Sequence, residues 1–275
     1  MAVNLASKYS SKVDERFKLQ SFTESVINQN YDWDGVNSVT VYSVATAPMG
    51  NYTTTGNSRY GTAAELDNTT QTMVLSRDRS FTFTIDRKNN QDTQMVMEAG
   101  KALARQIDEV ITPEIDIYRL AAMSAAGIAA GNTATVAITA SNAYAKFLDA
   151  GAVLDEKKVP VAGRVAFVTP AFYNFIKLDP TFTKATEIAQ NMLIKGQVGE
   201  IDGVKIVKIP STYLPANTAF LLTHQIATVA PKKLQDYKTH DNPPGINGWL
   251  VEGRLRYDAF VLNNKANAIY VHKIA

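Results

Sequence analysis

The chain has 275 residues and a net charge of +2, and 45% of its residues are hydrophobic, which is enough for one large core or two smaller ones. It contains no cysteine, which excludes disulfide bonds, thiolate metal sites and cysteine nucleophiles. Its 28 basic and 26 acidic residues are intermixed, unlike the clustered positive charge of a dedicated nucleic-acid-binding protein. The sequence shows no signal-peptide pattern and no run of about 18 apolar residues. We therefore expect a soluble protein, made in the cytoplasm and not inserted in a membrane.

The sequence of the first third of the chain predicts an extended arm and then two strands with a long loop between them. Residues 1 to 35 are polar and lack any periodic pattern, which is typical of an extended arm. Val36 to Thr46 and Ser80 to Asp86 show the alternation of β-strands, and residues 47 to 71 between them are rich in Gly, Thr and Asn. A two-stranded ribbon is marginal by itself in water. Either the hairpin rests on a neighbouring subunit, or residues 47 to 71 are a long disordered loop of a monomer, and the pattern favours neither.

A long amphipathic helix is predicted after the second strand. Asn89 to Asp92 provide capping residues, and apolar residues recur at spacings of three and four from Val96 to Ile111. Pro113 should kink or end this helix because its ring and its missing N–H disturb the preceding turn, but Glu114 to Leu120 can restart the helix at once. We predict a change of subdomain at Gly127 to Gly131.

The remaining residues alternate between helix and strand patterns. The predicted elements are, in order, a helix over 141–157, a strand over 164–168, a short helix after Pro170, strands over 203–210 and 218–223, a loop over 238–248, and strand-like runs over 249–262 and 267–274 joined by a turn at 263–266. A mixed sheet flanked by helices is the simplest account of this order.

The sequence contains no motif that predicts catalysis. His224, His240 and His272 lie far apart and lack the spacing that would place two imidazoles on one helical face, so no metal site is predicted. No nucleophile elbow, phosphate loop or dinucleotide-binding fingerprint occurs. We therefore predict no catalytic residue, no cofactor and no metal.

Three carboxylates that could act as acid–base groups lie around the predicted helix kink. Glu109, Glu114 and Asp116 are explained as well by hydrogen bonds to backbone groups that the kink would free, or by pairing with Arg119. A structural position at the helix surface is the better interpretation. Elimination of the catalytic motifs thus leads us to predict that the protein is not an enzyme.

The order of elements and four short segments carry a resemblance to a known family. These segments are 31–36 (YDWDGV), 76–86 (SRDRSFTFTID), 113–119 (PEIDIYR) and 199–207 (GEIDGVKIV). The sequence resembles, over nearly its whole length, the major capsid proteins of tailed bacteriophages, which have the HK97-like fold. PEIDIYR is the most specific of the four likenesses.

The resemblance implies an α+β, HK97-like fold with five regions. They are an N-terminal arm at 1–35, an extended β-hairpin (the E-loop) at 36–88, a peripheral domain with a long spine helix at 89–135, a mixed α/β axial domain at 136–247, and C-terminal strands at 248–275 that return to the peripheral domain.

The resemblance also implies the function and the partners. Copies of the chain would assemble, as pentamers and hexamers, into the icosahedral head shell of the virion in the host bacterial cytoplasm, around double-stranded DNA that is contacted non-specifically. Scaffolding, portal and decoration proteins are further expected partners, and no covalent crosslink is predicted. The hairpin would lie across the adjacent subunit, where Arg59, Glu65, Arg77 and Arg79 are candidates for ion pairs between subunits.

Two other functions stay open from the sequence alone. An encapsulin, a nanocompartment shell with the same fold, would enclose a cargo enzyme in place of a genome. A hydrolase of mixed α/β fold would need a convergent set of polar side chains in a pocket, and the sequence shows no such set.

Overall fold

The computed structural model describes residues 21–28, 30–31, 38–63, 65–92, 99–180 and 199–275. Most of the predicted arm and the position of Val96 lie outside these ranges. The strands are β1 (Ser38–Val44), β2 (Asn68–Val74), β3 (Arg77–Asp86), β4 (Thr133–Thr135), β5 (Arg164–Val168), β6 (Glu200–Ile201), β7 (Val204–Lys208), β8 (Thr218–His224), β9 (Thr228–Val229), β10 (Lys232–Asp241), β11 (Gly248–Tyr257), β12 (Phe260–Val261) and β13 (Tyr270–Lys273). The α-helices are α1 (Arg87–Asp92), α2 (Ala99–Gln106), α3 (Thr112–Ala129), α4 (Ala143–Glu156) and α5 (Pro170–Leu178).

The hairpin is formed by β1 and β2, which pair antiparallel from Ser38 opposite Val74 to Val44 opposite Asn68. The prediction that Ser80 to Asp86 closes the hairpin is therefore wrong. β3 pairs instead with β11, about 170 residues later in the chain. The return strand of the hairpin is β2, which begins inside the loop predicted at 47–71 and ends three residues beyond it. Gly253 of β11 stands opposite Phe81, and the Phe81 ring occupies the space that a side chain at position 253 would need. The sequence around β3 gives no sign of this distant partner, so the pairing could not be predicted from it.

A three-stranded antiparallel sheet has the order β10-β11-β3. One of its faces packs on α3 through a cluster that includes Ile115, Leu255 and Tyr257. The predicted loop over 238–248 is wrong because β10 continues to Asp241 and leaves only residues 242–247 for the turn. The polar residues at 238–241 belong to an edge strand, where both faces and the outer edge can remain in water.

The predicted mixed sheet is confirmed, with six strands in the order β4-β13-β8-β5-β7-β6. Helices cover both of its faces, as the apolar runs of β5 and β8 require. Phe147 of α4 and Phe172 of α5 pack on one face, and Leu120 and Met123 of α3 pack on the other. The predicted helix over 141–157, the strand over 164–168 and the helix after Pro170 agree with α4, β5 and α5.

The C-terminal run divides between two sheets. β11 joins the three-stranded sheet, whereas β13 lies between β4 and β8 in the six-stranded sheet. The predicted turn at 263–266 is part of a 3-10 helix, Asn263–Ala268, and the two flanking strands do not pair with each other. β13 is buried on both faces from Tyr270 to His272, which suits an inner strand and not one arm of a surface hairpin.

The long helix passes Pro113 without ending. A π-helical segment, Ile107–Ile111, joins α2 to α3, and the Thr112 N–H bonds to the Ile107 carbonyl five residues earlier. Pro113 then lies in the first turn of α3. The irregularity predicted at Pro113 is thus a local widening of the helix just before it, which accommodates the missing N–H.

Candidate assembly surfaces

The β1–β2 hairpin, residues 38–74, is supported only at its base. Met73 is buried in a small cluster with Leu75, Val229 and Leu262, and Val39 and Val41 of β1 pack against that cluster. Farther out, the side chains of Tyr42 and Val44 are 69% and 66% exposed. Because a free two-stranded ribbon is marginal in water, the outer half of this hairpin presents surface that a partner can cover.

A buried carboxylate fixes the direction of the hairpin. Asp258 is 3% exposed, and its Oδ2 accepts hydrogen bonds from the Ser76 N–H at 2.7 Å and the Ser76 hydroxyl at 2.8 Å. Its Oδ1 accepts from the Tyr118 hydroxyl and the Ala259 N–H, both at 2.8 Å. Since Ser76 joins β2 to β3 and Tyr118 belongs to α3, the three bonds from these two residues hold the hairpin base against α3 and the end of β11.

Gln71 of β2 provides a second attachment. Its Nε2 donates to the Val261 carbonyl at 3.0 Å, and its Oε1 accepts from the Asn263 N–H at 2.8 Å. The side-chain amide thereby satisfies one backbone acceptor and one backbone donor next to β12. The hairpin is accordingly held at both β2 and its junction with β3.

The tip of the hairpin, residues 45–67, contains a folded turn. The rings of Tyr52 and Tyr60 meet edge to face at 5.1 Å, and the Thr53 N–H donates to the Arg59 carbonyl at 3.1 Å. The Arg59 side chain folds back, with its Nε 3.2 Å from the Gly56 carbonyl oxygen. Tyr60 and Met49 remain almost fully exposed, so this turn presents apolar surface to solvent.

A second candidate surface begins where the N-terminal arm would leave the body. The Asp116 carboxylate is buried and accepts from the Ser21 hydroxyl, the Phe22 N–H and the Thr23 hydroxyl at 2.5 to 2.8 Å. The buried Arg119 guanidinium donates to the Thr23 hydroxyl. This network fixes residues 21–23 on α3. The point from which the preceding residues could extend toward a partner is therefore defined.

Glu24 extends the same network toward β10. It pairs with Arg119 at 2.8 Å and with Lys232 at 2.9 Å. Partial burial raises the pKa of Glu24, but the hydrogen bonds from Lys232 and Arg119 outweigh it and hold the pKa below its usual value. Arg119 was expected to pair with a carboxylate of its own helix, but it pairs with Glu24. The sequence analysis did not single out Glu24.

Arg77 and Arg79 lie at the start of β3 and contact the same subunit. The Arg77 guanidinium stacks over the Tyr118 ring, with its central carbon 4.5 Å from the ring centre. Arg79 Nε is 2.8 Å from Glu114 Oε1, which also accepts from the Tyr257 hydroxyl at 3.0 Å. Burial and this hydrogen bond raise the pKa of Tyr257 to about 12, so the phenol stays protonated at neutral pH.

The four predicted contact residues form two separate groups. Arg59 and Glu65 lie in the tip, whereas Arg77 and Arg79 lie at the start of β3, beyond the base of the hairpin. Their role in ion pairs between subunits stays a prediction. The sequence reasoning missed Asp258 and also Gln71, because their partners are brought to them only by the fold.

The histidines occupy three unrelated environments. His224 is buried, with Nε2 2.8 Å from the Ala162 carbonyl oxygen, and His240 on the open face of the three-stranded sheet lies 3.3 Å from Glu252. His272 is fully buried and stacks on Phe220, with ring centres 4.9 Å apart. Within the described ranges, no group of three His, Cys, Asp or Glu side chains could hold a metal ion. None of the helices described is both long and apolar enough to cross a membrane.

Comparisons with known proteins find similarity to phage capsid proteins. A model of the phage capsid protein family matches residues 67–271. The structure from Mycobacterium phage Che8 is 18% identical, with a TM-score of 0.74 over 98% of each chain. The capsid structure of cyanophage P-SCSP1u is 12% identical, with a TM-score of 0.78 over 99% of this chain and 93% of that one. The mature capsid of bacteriophage PhiM1 is also 12% identical, with a TM-score of 0.74 over 98% and 92%. No curated protein matches the sequence.

These likenesses define the fold as that of phage capsid proteins, as the predicted α+β, HK97-like class requires. Because the family model covers most of the sequence, the chain belongs to the phage capsid protein family. The prediction of a major capsid protein of a tailed bacteriophage is thereby confirmed. The family and the fold are those of structural proteins.

Proposed function

We propose that copies of this chain assemble, as pentamers and hexamers, into an icosahedral virion head around double-stranded DNA. The observation that carries the proposal is the projecting hairpin, which is fixed at its base by Asp258 and Gln71 but exposes Tyr42 and Val44 farther out. The exposed apolar side chains of the outer hairpin contribute nothing to the packing of a monomer. In a shell, the same side chains would be covered by a neighbouring subunit.

Closure of a shell multiplies contacts that are individually modest. Each subunit presents a hairpin, an N-terminal segment anchored on α3 and the open face of the three-stranded sheet, so it can contact several copies at once. Weak individual contacts also allow misplaced subunits to dissociate during assembly. We infer that the predicted regions (arm, E-loop, peripheral domain, axial domain and C-terminal strands) act as separate contact units.

Further partners are proposed from the family. We expect portal, scaffolding and decoration proteins, and assembly in the host bacterial cytoplasm. DNA contact would be non-specific, and it would be weak because charge is nearly balanced over the chain. We also propose that the chain has no catalytic activity, which agrees with the separate positions of its histidines.

Electron microscopy of the purified chain, together with a variant that lacks residues 50–66, tests the proposal. The intact chain should form closed shells, and the variant should fail to assemble or should misassemble, while its circular dichroism stays close to that of the intact chain. Particles that hold DNA support a phage head, and particles that hold a protein cargo support an encapsulin. A persistent monomer from the intact chain at high concentration, with a scaffolding partner supplied, would refute the assembly function.

A further inference from the structure

The turn between β10 and β11 ends in Asn247 followed by Gly248, a pair of residue types that occurs nowhere else in the chain. Asparagine before glycine can rearrange without an enzyme. The backbone nitrogen of the next residue attacks the side-chain amide carbon, and glycine has no side chain to hinder that attack. The rearrangement requires an accessible asparagine and a backbone nitrogen that is not held in a hydrogen bond.

The structure meets both requirements. Asn247 is exposed, and its carbonyl accepts from the Arg87 N–H at 2.9 Å. Gly248 and Asp86 therefore form a non-hydrogen-bonded pair, and the Gly248 N–H points away from β3. On that other side the Asn242 N–H donates to the Gly248 carbonyl at 2.7 Å, but within the described ranges the Gly248 N–H donates no bond in return. The sheet thus leaves the attacking nitrogen unprotected.

The close packing of β11 on β3 requires glycine at position 248. A Cβ there would collide with the Ile85 carbonyl oxygen and would lie 3.0 Å from the Arg87 nitrogen. A larger residue, which would slow the rearrangement, would therefore disturb the pairing of the two strands. The reactive pair is tied to the register of the three-stranded sheet.

We propose that Asn247 is a site of spontaneous deamidation, through a succinimide, to aspartate and isoaspartate. Hydroxide removes the proton of the Gly248 nitrogen, which bonds to the side-chain carbonyl carbon of Asn247, and ammonia leaves after taking a proton from water. Water then opens the ring. Attack at the side-chain carbonyl gives aspartate, and attack at the main-chain carbonyl gives isoaspartate. The net reaction consumes water and releases ammonia.

The two products differ in their effect on the turn. In isoaspartate the main chain runs through the side-chain carbon and is longer by a methylene group. Gly248 then cannot keep its close approach to the Ile85 carbonyl while residue 247 accepts the Arg87 N–H. Aspartate keeps the length of the chain and adds only a negative charge to a turn in which Arg87 already pairs with Asp241 at 3.1 Å. We therefore expect isoaspartate to loosen the start of β11.

Incubation of the folded chain over a series of mildly alkaline pH values tests the proposal. Peptide mass spectrometry measures deamidation at each asparagine, and labelling by an isoaspartyl methyltransferase detects isoaspartate. Asn242 is an internal control because it is exposed in the same turn but precedes Pro243, whose nitrogen carries no hydrogen. Asn57, which is exposed and precedes Ser58, is a second control. The matched variant Asn247→Gln keeps an amide but would have to close a larger ring.

Deamidation at Asn247 should be at least tenfold faster than at Asn242 or Asn57, and it should accelerate about tenfold per unit of pH because base generates the attacking nitrogen. Asn247→Gln should remove most of the isoaspartate label and unfold in urea like the parent. The isoaspartate form should exchange the amide hydrogens of Arg87 and Asn242 faster. Equal rates at Asn247 and Asn57, or deamidation at Asn247 only in chain unfolded by urea, would overturn the proposal. Neither result bears on shell assembly, which is measured separately.

Discussion

Removal of the Asp258 carboxylate is the most informative single perturbation. Asp258→Ala leaves the buried N–H of Ala259 without an acceptor, at about 1 to 3 kcal/mol. Ser76 is exposed, so its N–H and hydroxyl can bond to water, and the Tyr118 hydroxyl can rotate toward another acceptor, so these groups add little to the loss. We therefore expect the free energy of unfolding to fall by about 2 kcal/mol, a substantial fraction of the roughly 5 to 15 kcal/mol of a typical domain.

The assay combines urea unfolding of the unassembled subunit with amide hydrogen exchange across residues 68–76. Asp258→Asn keeps one acceptor oxygen and should lose less stability than Asp258→Ala. The control Asp236→Ala removes an accessible carboxylate from the same sheet and should stay within about 0.5 kcal/mol of the parent. A loss below about 1 kcal/mol in Asp258→Ala, or unchanged exchange across the hairpin base, would refute the claim that this carboxylate orients the hairpin.

Three further outcomes are expected. Asp116→Ala should lower the free energy of unfolding by about 3 kcal/mol because the buried Thr23 hydroxyl and the partly buried donors of Ser21 and Phe22 lose their acceptor, and a cost under 1 kcal/mol in urea unfolding would contradict the anchoring. Gly248→Ala should cost about 3 kcal/mol because a Cβ would press on the backbone carbonyl of Ile85, whereas Gly245→Ala, which has the backbone strain but open space, should cost about 1; equal costs would disprove the steric argument. Burial lowers the pKa of His272, so the folded state takes up this proton at a lower pH than the unfolded state does. The free energy of unfolding should therefore fall as the pH drops below about 6.5. His272→Gln should flatten this dependence in unfolding curves between pH 7 and 5, and an unchanged slope would exclude His272 as its source.

The sequence alone determined the elements whose signal is local. The helix α4, the buried strand β5 and the capped helix after Pro170 are each specified by a periodic apolar pattern and by residues within a few positions, so they were found close to their observed bounds. The order of the predicted elements, together with four short segments, also indicated the capsid fold. The disturbance near Pro113 was found for the same reason, because the missing N–H acts within one helical turn.

Only the tertiary structure decided which strands pair and which polar groups are shared. β3 looked like the return strand of the hairpin, yet its partner β11 follows about 170 residues later, and Asp258 and Ser76 meet across a similar distance in sequence. Alternation along a strand indicates which residues share a face, but it does not identify the strand on the other side of a hydrogen-bonded edge. The base of the hairpin is fixed by contacts with residues nearly 190 positions away in the chain, so the surface that the hairpin presents became visible only with the fold.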